Sequence, residues 1–368
     1  MSTFRPENSE ELQKIVQSES SLIIRSGGTK TALSAPPDDA SILDMSQIRG
    51  MIEYEPGEYT FTAYAATPLS EIIAALAEHG QYLPFDPILV EQGATLGGTV
   101  AANTSGSGRY RYGGVRDFIL GIRFVDGQAN FVRSGGKVVK NAAGFDLSKF
   151  MVGSLGHYGA LVEMSFKVFP QPGIYQTLAV SYVDTQPALK AIFALSTSHL
   201  EMDALDLEVA DNFRLLIRVG GLDNTLAGRI ASLKTFLQEK APYLDEETLT
   251  ASDDKQCWRD INHFAGCSDA ETIVKVPISA RQMPELDKQL VGIGAKRHYI
   301  AAANLVWVAV DNYSSLETVL FKNNLAGLRI KGQFGQPIIG KHSGETIYQR
   351  MKQALDPSHS FLSKHAQK

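Results

Sequence analysis

The chain has 368 residues and a net charge of −5 at neutral pH, from 35 lysines and arginines against 40 aspartates and glutamates. Its 44% apolar and 20% charged residues exclude disordered, collagen-like and coiled-coil chains, and the negative charge argues against a general nucleic-acid-binding protein. The length predicts about two domains. Two isolated cysteines, Cys257 and Cys267, match no zinc or disulfide pattern, so we expect reduced thiols.

In the first part of the chain, apolar residues recur with the spacing of helices in some segments and with the alternation of strands in others. Helices are predicted at 7–17 and 67–79; in the second, Thr67 is the expected cap, Pro68 the first helical residue and Gly80 the stop. Strands are predicted at 21–25, 42–45, 60–65, 119–125, 129–132 and 161–169. Asp126-Gly127 indicates a hairpin between two of them.

Beyond residue 173, glycine becomes rarer and helices alternate with strands. Strands are predicted at 178–182, 213–219, 272–277 and 305–310, and helices at 187–197, 224–238, 283–291 and 314–323. We therefore divide the chain into residues 1–172, a second α+β domain at 173–338, and a C-terminal segment at 339–368 with a helix at 345–355. The segment is expected to return to the first domain.

Glycines concentrate in two stretches of the first domain. Residues 26–30 (SGGTK) follow a buried-type strand, where glycine lets successive backbone N–H groups converge on an anion. Residues 93–114 hold seven glycines, and we interpret them as a long functional loop without secondary structure of its own. P-loop and Rossmann glycine patterns do not occur in the sequence. The two stretches predict a clamp for one long phosphate-bearing cofactor, with two unrelated loops as the alternative.

The order of motifs resembles the FAD-binding domain of the vanillyl-alcohol-oxidase-like, or PCMH-type, flavoproteins. The motifs are RSGGT (25–29), LPFDP (83–87), GATLGGTVAAN (93–103), GVRDFILG (114–121), KNAAGFDL (140–147) and GSLGHYG (153–159). The resemblance implies an α+β fold in which two subdomains hold FAD between them beneath an α+β cap domain. Within the family, the sequence looks most like the smaller FAD-binding subunits of bacterial glycolate oxidases.

The resemblance also implies which residues bind FAD. The pyrophosphate would be held by Ser26, Gly27, Gly28, Thr29 and Lys30. The adenosine and pyrophosphate path would be lined by Pro84, Phe85, Asp86, Pro87, Ala94, Thr95, Gly97 and Gly98. The ribityl chain and flavin would be approached by Asn103, Thr104, Ser105, Gly106, Gly113 and Val115, and the other side closed by Gly156, Gly159 and Val162. Thr29 stands where several relatives attach FAD to histidine, so non-covalent FAD is expected.

Oxidation of a 2-hydroxy acid requires a cation for the carboxylate, a base for the hydroxyl proton and a hydride acceptor. Larger relatives carry a metal-ligating His-x-His pair in the cap; the eight histidines here form none, and no metal is predicted. The candidate substrate residues in the cap are Arg218, Arg297, His298 and Trp307, each with an ordinary structural role as the alternative.

The implied function is the FAD-binding subunit of a glycolate oxidase complex, which oxidises glycolate to glyoxylate. Its expected partners are a catalytic flavoprotein subunit and an iron–sulfur subunit, because this chain has no cysteine motif for a cluster. A stand-alone FAD oxidoreductase of another hydroxy acid or alcohol, and a non-catalytic assembly subunit, are the alternatives. The polar N-terminus and short apolar runs predict a cytoplasmic protein without a membrane span, with peripheral attachment through partners left open.

Overall fold

The computed structural model describes residues 2–34, 40–136, 146–210 and 212–362. Most of the KNAAGFDL motif at 140–147 lies outside these described residues; only Asp146 and Leu147 fall within them. Within the same ranges, no helix is both long enough and apolar enough to cross a membrane.

The first subdomain is a small parallel sheet with two helices. Its elements are β1 (Thr3–Phe4), α1 (Ser9–Ser18), β2 (Leu22–Arg25), α2 (Thr31–Ser34) and β3 (Ser41–Asp44), with β3 central. Asn8 caps α1 by accepting the amide of Glu11, and the helix buries Leu12 and Val16. The helix and strands predicted here from apolar spacing are confirmed.

The second subdomain is a five-stranded antiparallel sheet, ordered β4-β5-β9-β7-β8. Its elements are β4 (Met51–Glu55), β5 (Thr60–Tyr64), α3 (Leu69–Ala77), β6 (Gln81–Tyr82), α4 (Leu96–Ala102), α5 (Arg109–Tyr112), β7 (Ile119–Asp126), β8 (Phe131–Gly135), α6 (Leu147–Phe150), β9 (Gly159–Lys167) and β10 (Phe169–Pro170). The predicted hairpin joins β7 to β8, where the Asp126 carboxylate accepts the amides of Gln128 and Asn130.

Two local predictions in this subdomain are wrong. Thr67 does not cap α3: Pro68 is the N-cap residue, and the Thr67 hydroxyl bonds instead to the backbone N–H and C=O of Gly50. The stretch 93–114 is not without structure, because it contains α4 and α5. Leu96 and Val100 bury one face of α4, and Gly97 lets the helix approach Ala65, whose Cβ would lie 2.8 Å from a Cβ added there.

The second domain is built on one nine-stranded antiparallel sheet, ordered β14-β11-β13-β12-β16-β17-β15-β18-β19. Its elements are β11 (Ile174–Tyr182), α7 (Thr185–Ser196), β12 (Ala204–Val209), β13 (Phe213–Gly221), α8 (Asp223–Lys240), β14 (Asp245–Thr250), α9 (Ala251–His263), β15 (Thr272–Pro277), α10 (Met283–Gly292), β16 (Lys296–Ile300), β17 (Leu305–Val310), α11 (Tyr313–Lys322), β18 (Ala326–Lys331) and β19 (Ile338–Gly340). The eight predicted elements are present, and five strands and α9 went unpredicted.

This sheet is covered on both faces. Val274, Val276 and Val308 pack into a core with helices α7, α8, α10 and α11. On the opposite face, Ile273 and Trp307 share a core with residues of the first domain. The sheet therefore lies over the first domain as a cap, and the predicted α+β class, with two subdomains and a cap, is confirmed.

The C-terminal segment crosses back to the first domain. It begins with α12 (Glu345–Leu355), and Phe361 forms a parallel bridge with Leu22 of β2. Lys352 is fully buried and donates to the Asp356 carboxylate at 2.5 Å and to the carbonyls of His157 and Phe361 at 2.7 Å each. The domain boundaries at 172/173 and 338/339 stay predictions.

Candidate functional site

A groove runs between the two subdomains, and we call it the subdomain groove. It is lined by ten of the predicted cofactor residues: Ser26, Gly27, Gly28, Thr29, Lys30, Thr95, Gly97, Gly98, Gly156 and Gly159. Its remaining walls are largely apolar, formed by Ile24, Met45, Ala65, Ala66 and Leu161 among others. The fold thus brings together motifs separated by more than a hundred residues of sequence.

Small residues keep the walls of the subdomain groove in close contact. The Ser26 and Thr95 hydroxyls lie 2.7 Å apart, joining the loop after β2 to the N-cap of α4. A Cβ added to Gly27 would lie 2.1 Å from the carbonyl oxygen of Gly93. Gly28 has a φ of +64°, a conformation that L side chains rarely adopt. Glycine is therefore required at position 27 by the packing of the loops and at position 28 by its backbone conformation.

Lys30 supplies the positive charge of this groove. Its side chain is buried, and burial lowers the pKa of its ammonium to about 8. The part of the chain that the structure describes offers it no carboxylate within ion-pair distance. The Ser154 hydroxyl, also on the groove wall, is buried without a hydrogen-bond partner in the structure. An unneutralised cation and an unsatisfied hydroxyl suit an anionic, polar ligand.

The predicted flavin-contacting residues lie beyond α4. Asn103 ends this helix with a φ of +49°, and Ser105 accepts the amide of Val115 at 3.0 Å. The Thr104 hydroxyl is buried without a partner in the structure. Gly113 has a φ of +94°, and a Cβ there would meet the Asp117 carboxylate.

Three of the predicted residues point their side chains elsewhere. Phe85, Val115 and Val162 are fully buried in the cores of the first domain. Pro87, Ala94 and Gly106 are likewise buried. The side chains of these residues pack within the protein, and the individual cofactor assignments stay predictions.

A cleft of about 680 Å³ separates the first domain from the cap, and we call it the interdomain cleft. Pro84 and Asp86 of the LPFDP motif line one side, and Arg218 of β13 lines the other. Asp86 has a φ of +51°, and burial raises the pKa of its carboxyl group. Asn262 of the cap donates to its Oδ1 at 2.9 Å. The cleft thus places the buried carboxylate of Asp86, whose backbone has a positive φ, opposite Arg218 of the cap.

Arg218 is held by a chain of buried contacts. Its Nη2 donates to Asp254 at 2.7 Å, and Asp254 accepts the Thr177 hydroxyl at the same distance. Thr177 in turn accepts the indole N–H of Trp258. The guanidinium carbon lies 4.1 Å from the centroid of Tyr175 and 5.3 Å from that of Trp258. The guanidinium is therefore fixed in place before any ligand arrives.

The other three candidate substrate residues are engaged in packing contacts. Arg297 forms a two-bond ion pair with Asp287 at 2.7 and 2.8 Å. His298 Nε2 lies 3.2 Å from the buried carboxylate of Asp206, and Trp307 packs edge-on against Phe264. Arg218 alone of the four lines the interdomain cleft. Within the described residues, no group of three metal-ligating side chains could hold a metal ion.

Sequence reasoning missed three residues in and near this cleft. Asp254 lies on α9, which carried no helix prediction, and Tyr175 precedes the predicted start of its strand. Lys275 was passed over inside a strand that otherwise reads as apolar. A charged residue in a buried strand was the one signal that could have drawn attention to it.

Comparison with known proteins identifies the first domain. The model of a family described as "FAD binding domain" matches residues 2–135. Residues 2–135 form an FAD-binding domain of the PCMH type. FAD is the cofactor of the chain, as the resemblance implied. That its pyrophosphate binds in the subdomain groove, beside Lys30 and the glycines of residues 26–30, stays a prediction.

Three curated relatives match this FAD-binding chain over about half of its length. Glycolate oxidase subunit GlcE of Escherichia coli is 42% identical over 163 residues, 44% of this chain and 46% of that protein. Glycolate oxidase subunit GlcD of Bacillus subtilis is 28% identical over 51% of this chain and 41% of that protein. D-lactate dehydrogenase of Archaeoglobus fulgidus is 27% identical over 54% and 45%. The matches span less than half of each relative.

A solved structure of alkyldihydroxyacetonephosphate synthase resembles the whole chain. It superposes with a TM-score of 0.70 over 98% of this chain and 76% of that one, at 15% identity. At this identity the match concerns the fold alone. Its coverage of 98% means that the similarity of fold includes the cap as well as the first domain.

Proposed function

We propose that this FAD-binding chain is a subunit of a glycolate oxidase complex that oxidises glycolate to glyoxylate. The observation that carries the proposal is the interdomain cleft, where a carboxylate of the cofactor motif, Asp86, faces the fixed guanidinium of Arg218. The match to the glycolate oxidase subunit of Escherichia coli supports the substrate class. The electrons leave through an iron–sulfur partner, and a second flavoprotein subunit completes the assembly.

When bound, FAD would supply the hydride acceptor of the reaction. Arg218 has five N–H donors, and those directed into the cleft bind the carboxylate of the hydroxy acid. The rings of Tyr175 and Trp258 and the bond to Asp254 fix the plane of the guanidinium, so that little rotamer entropy is lost on binding. Arg218 of the cap therefore orients the substrate.

Asp86 is the candidate base. Burial raises the pKa of its carboxyl group, which makes the ionised form a stronger acceptor for the substrate hydroxyl proton. The amide of Gly108 donates to its Oδ2 at 3.3 Å and Asn262 to its Oδ1, so the carboxylate keeps one orientation. The carboxylate and the arginine together provide the acid–base and binding groups of the reaction.

Anaerobic reduction of the purified, FAD-loaded chain by glycolate tests this proposal. The flavin absorbance should bleach with glycolate, and Arg218→Met should raise the glycolate concentration needed for half-maximal reduction. Arg281→Met is the matched control, because Arg281 is an exposed arginine elsewhere in the cap. Bleaching by other hydroxy acids or alcohols but not by glycolate would instead indicate a stand-alone oxidoreductase of different specificity.

A second candidate function is a flavin-binding assembly subunit. The observation that favours it is the engagement of Arg297, His298 and Trp307 in packing contacts rather than in the cleft. Co-expression with a catalytic flavoprotein and an iron–sulfur subunit separates the two functions. If glycolate reduces the complex but never the isolated FAD-loaded chain, and Arg218→Met leaves the complex fully active, the assembly function is correct.

A further inference from the structure

Two buried lysines of this chain differ in how their charge is neutralised. Lys352 is paired with Asp356 at 2.5 Å. Lys275 is also buried, with 6% of its surface exposed, yet among the described residues it has no carboxylate within ion-pair distance. Its ammonium donates to a single backbone carbonyl, that of Asn103. Lys275 therefore carries a charge that the protein itself leaves uncompensated.

Lys275 joins the cap to the end of a cofactor helix. It lies on β15, beside Trp307 of β17, on the sheet face that covers the first domain. The carbonyl it binds belongs to the peptide between Asn103 and Thr104, directly after α4. The Thr104 hydroxyl beside this peptide is buried without a hydrogen-bond partner in the structure. The residue that follows the carbonyl bound by Lys275 therefore carries a buried, unsatisfied hydroxyl.

The electrostatics around Lys275 are unfavourable without a ligand. Withdrawing an ammonium from water costs several kcal/mol unless an anion or a set of acceptors compensates. Arg109 of α5 adds a like charge, and together with burial it lowers the pKa of the Lys275 ammonium to about 7. An anionic ligand at this interface would relieve both effects.

The position of Lys275 along α4 indicates which part of FAD it would approach. The loop at residues 26–30 meets the N-terminal end of α4, through the hydroxyl pair of Ser26 and Thr95. Lys275 binds at the C-terminal end, about 10 Å further along a helix of seven residues. The pyrophosphate and Lys275 therefore belong to opposite ends of the helix.

We propose that Lys275 is the positive charge that the cap holds toward the flavin half of FAD, and that it favours the reduced, anionic cofactor. Hydride transfer to bound FAD would add two electrons and one proton to the neutral oxidised ring and leave it with one negative charge. The hydroxyl proton of the substrate goes to a protein carboxylate, so charge and atoms balance. The inference rests on FAD binding and on no particular substrate.

Lys275→Met removes the charge and keeps the apolar stem, and Lys275→Arg retains a charge. In the FAD-loaded chain, Lys275→Met should bind the reduced cofactor about tenfold more weakly relative to the oxidised one, a fall in potential of about 30 mV for a two-electron couple. Lys275→Arg should stay close to the parent potential. Lys296→Met is the matched control, because Lys296 lies on the same sheet in an exposed ion pair with Asp269.

Two further measurements separate this role from a structural one. Without FAD, Lys275→Met should raise the melting temperature, whereas Lys352→Met should lower it. Binding of ADP, which has the pyrophosphate but no flavin, should be unchanged by Lys275→Met. An unchanged potential, a lowered melting temperature of the FAD-free variant, or an equal loss of ADP and FAD affinity would each overturn the proposal.

Discussion

The Ser26 hydroxyl lies 2.7 Å from the Thr95 hydroxyl, although 69 residues separate them along the chain. Ser26 follows β2 of the first subdomain, and Thr95 caps α4 of the second. This contact joins the two glycine-bearing stretches at the wall of the subdomain groove. A ligand in the groove would therefore touch both subdomains at once, and we expect FAD bound there to stabilise their packing.

Gly27→Ala should abolish FAD retention. A Cβ at this position would lie 2.1 Å from the Gly93 carbonyl oxygen, so the two loops must separate, at a cost of about 1–3 kcal/mol in stability. Flavin absorbance of the purified protein and its denaturant midpoint measure the two effects. Gly57→Ala is the control, because Gly57 has no atom within 4 Å of an added Cβ and has no positive φ. Parental flavin content in Gly27→Ala would show that the loop contact is unimportant.

Lys30→Met should weaken binding of both FAD and ADP by at least about tenfold. The buried ammonium lines the groove beside Gly27 and Gly28, and a charge-assisted hydrogen bond contributes about 1.5–3 kcal/mol. Fluorescence titration with FAD and calorimetry with ADP measure the two affinities. Lys30→Met is thus expected to differ from Lys275→Met, which should spare ADP. Equal ADP affinity in Lys30→Met and the parent chain would place the pyrophosphate elsewhere.

The stability of the FAD-free chain should rise as the pH increases from 7 to 9. Burial lowers the pKa of Lys275 to about 7 and that of Lys30 to about 8, whereas both titrate near 10.5 when unfolded. In this range the unfolded chain binds more protons than the folded one, so raising the pH favours folding. Urea denaturation at each pH measures the slope. The double variant Lys30→Met/Lys275→Met should show a flatter profile, and an unchanged slope would contradict the assignment.

Lys352→Met should destabilise the whole chain by about 3–5 kcal/mol. The substitution leaves the Asp356 carboxylate buried and unpaired, and removes the donor to the carbonyls of His157 and Phe361. Denaturant unfolding measures the loss. Lys240→Met is a control, because its partner Glu239 is exposed and such surface pairs contribute little. Equal midpoints for the two variants would show that the C-terminal segment adds no stability.

Arg218→Met should reduce stability as well as substrate affinity. Its loss leaves Asp254 buried beside Thr177 without its cation, which costs about 3–5 kcal/mol. The variant Arg218→Met/Asp254→Leu removes both charges and should recover most of the stability without recovering glycolate affinity. Thermal unfolding and glycolate titration measure the two properties separately. Recovery of affinity in the double variant would show that Arg218 acts only through packing.

Local pattern predicted much of the secondary structure. Helices α1, α3 and α8 follow from apolar spacing, and the β7–β8 hairpin follows from Asp126-Gly127, because these signals arise within one element. Short strands such as β16 and β18 went unpredicted, since charged residues interrupt their apolar pattern. The helix α4 was missed for a similar reason: its Gly97 and Gly98 have low helix propensity, and its stability comes from packing on Ala65.

The sequence by itself determined the cofactor class, through the order of its motifs, and it predicted a phosphate loop at residues 26–30, where the φ of +64° at Gly28 is a local backbone requirement. Tertiary structure alone decided which side chains share a cavity. It placed Arg218 opposite Asp86, and it tied Arg297 and His298 to buried carboxylates. It also brought Lys275 to the carbonyl of Asn103, 172 residues away. Whether a buried charge has an oppositely charged neighbour depends on distances across the fold, and these distances cannot be read from a local sequence pattern.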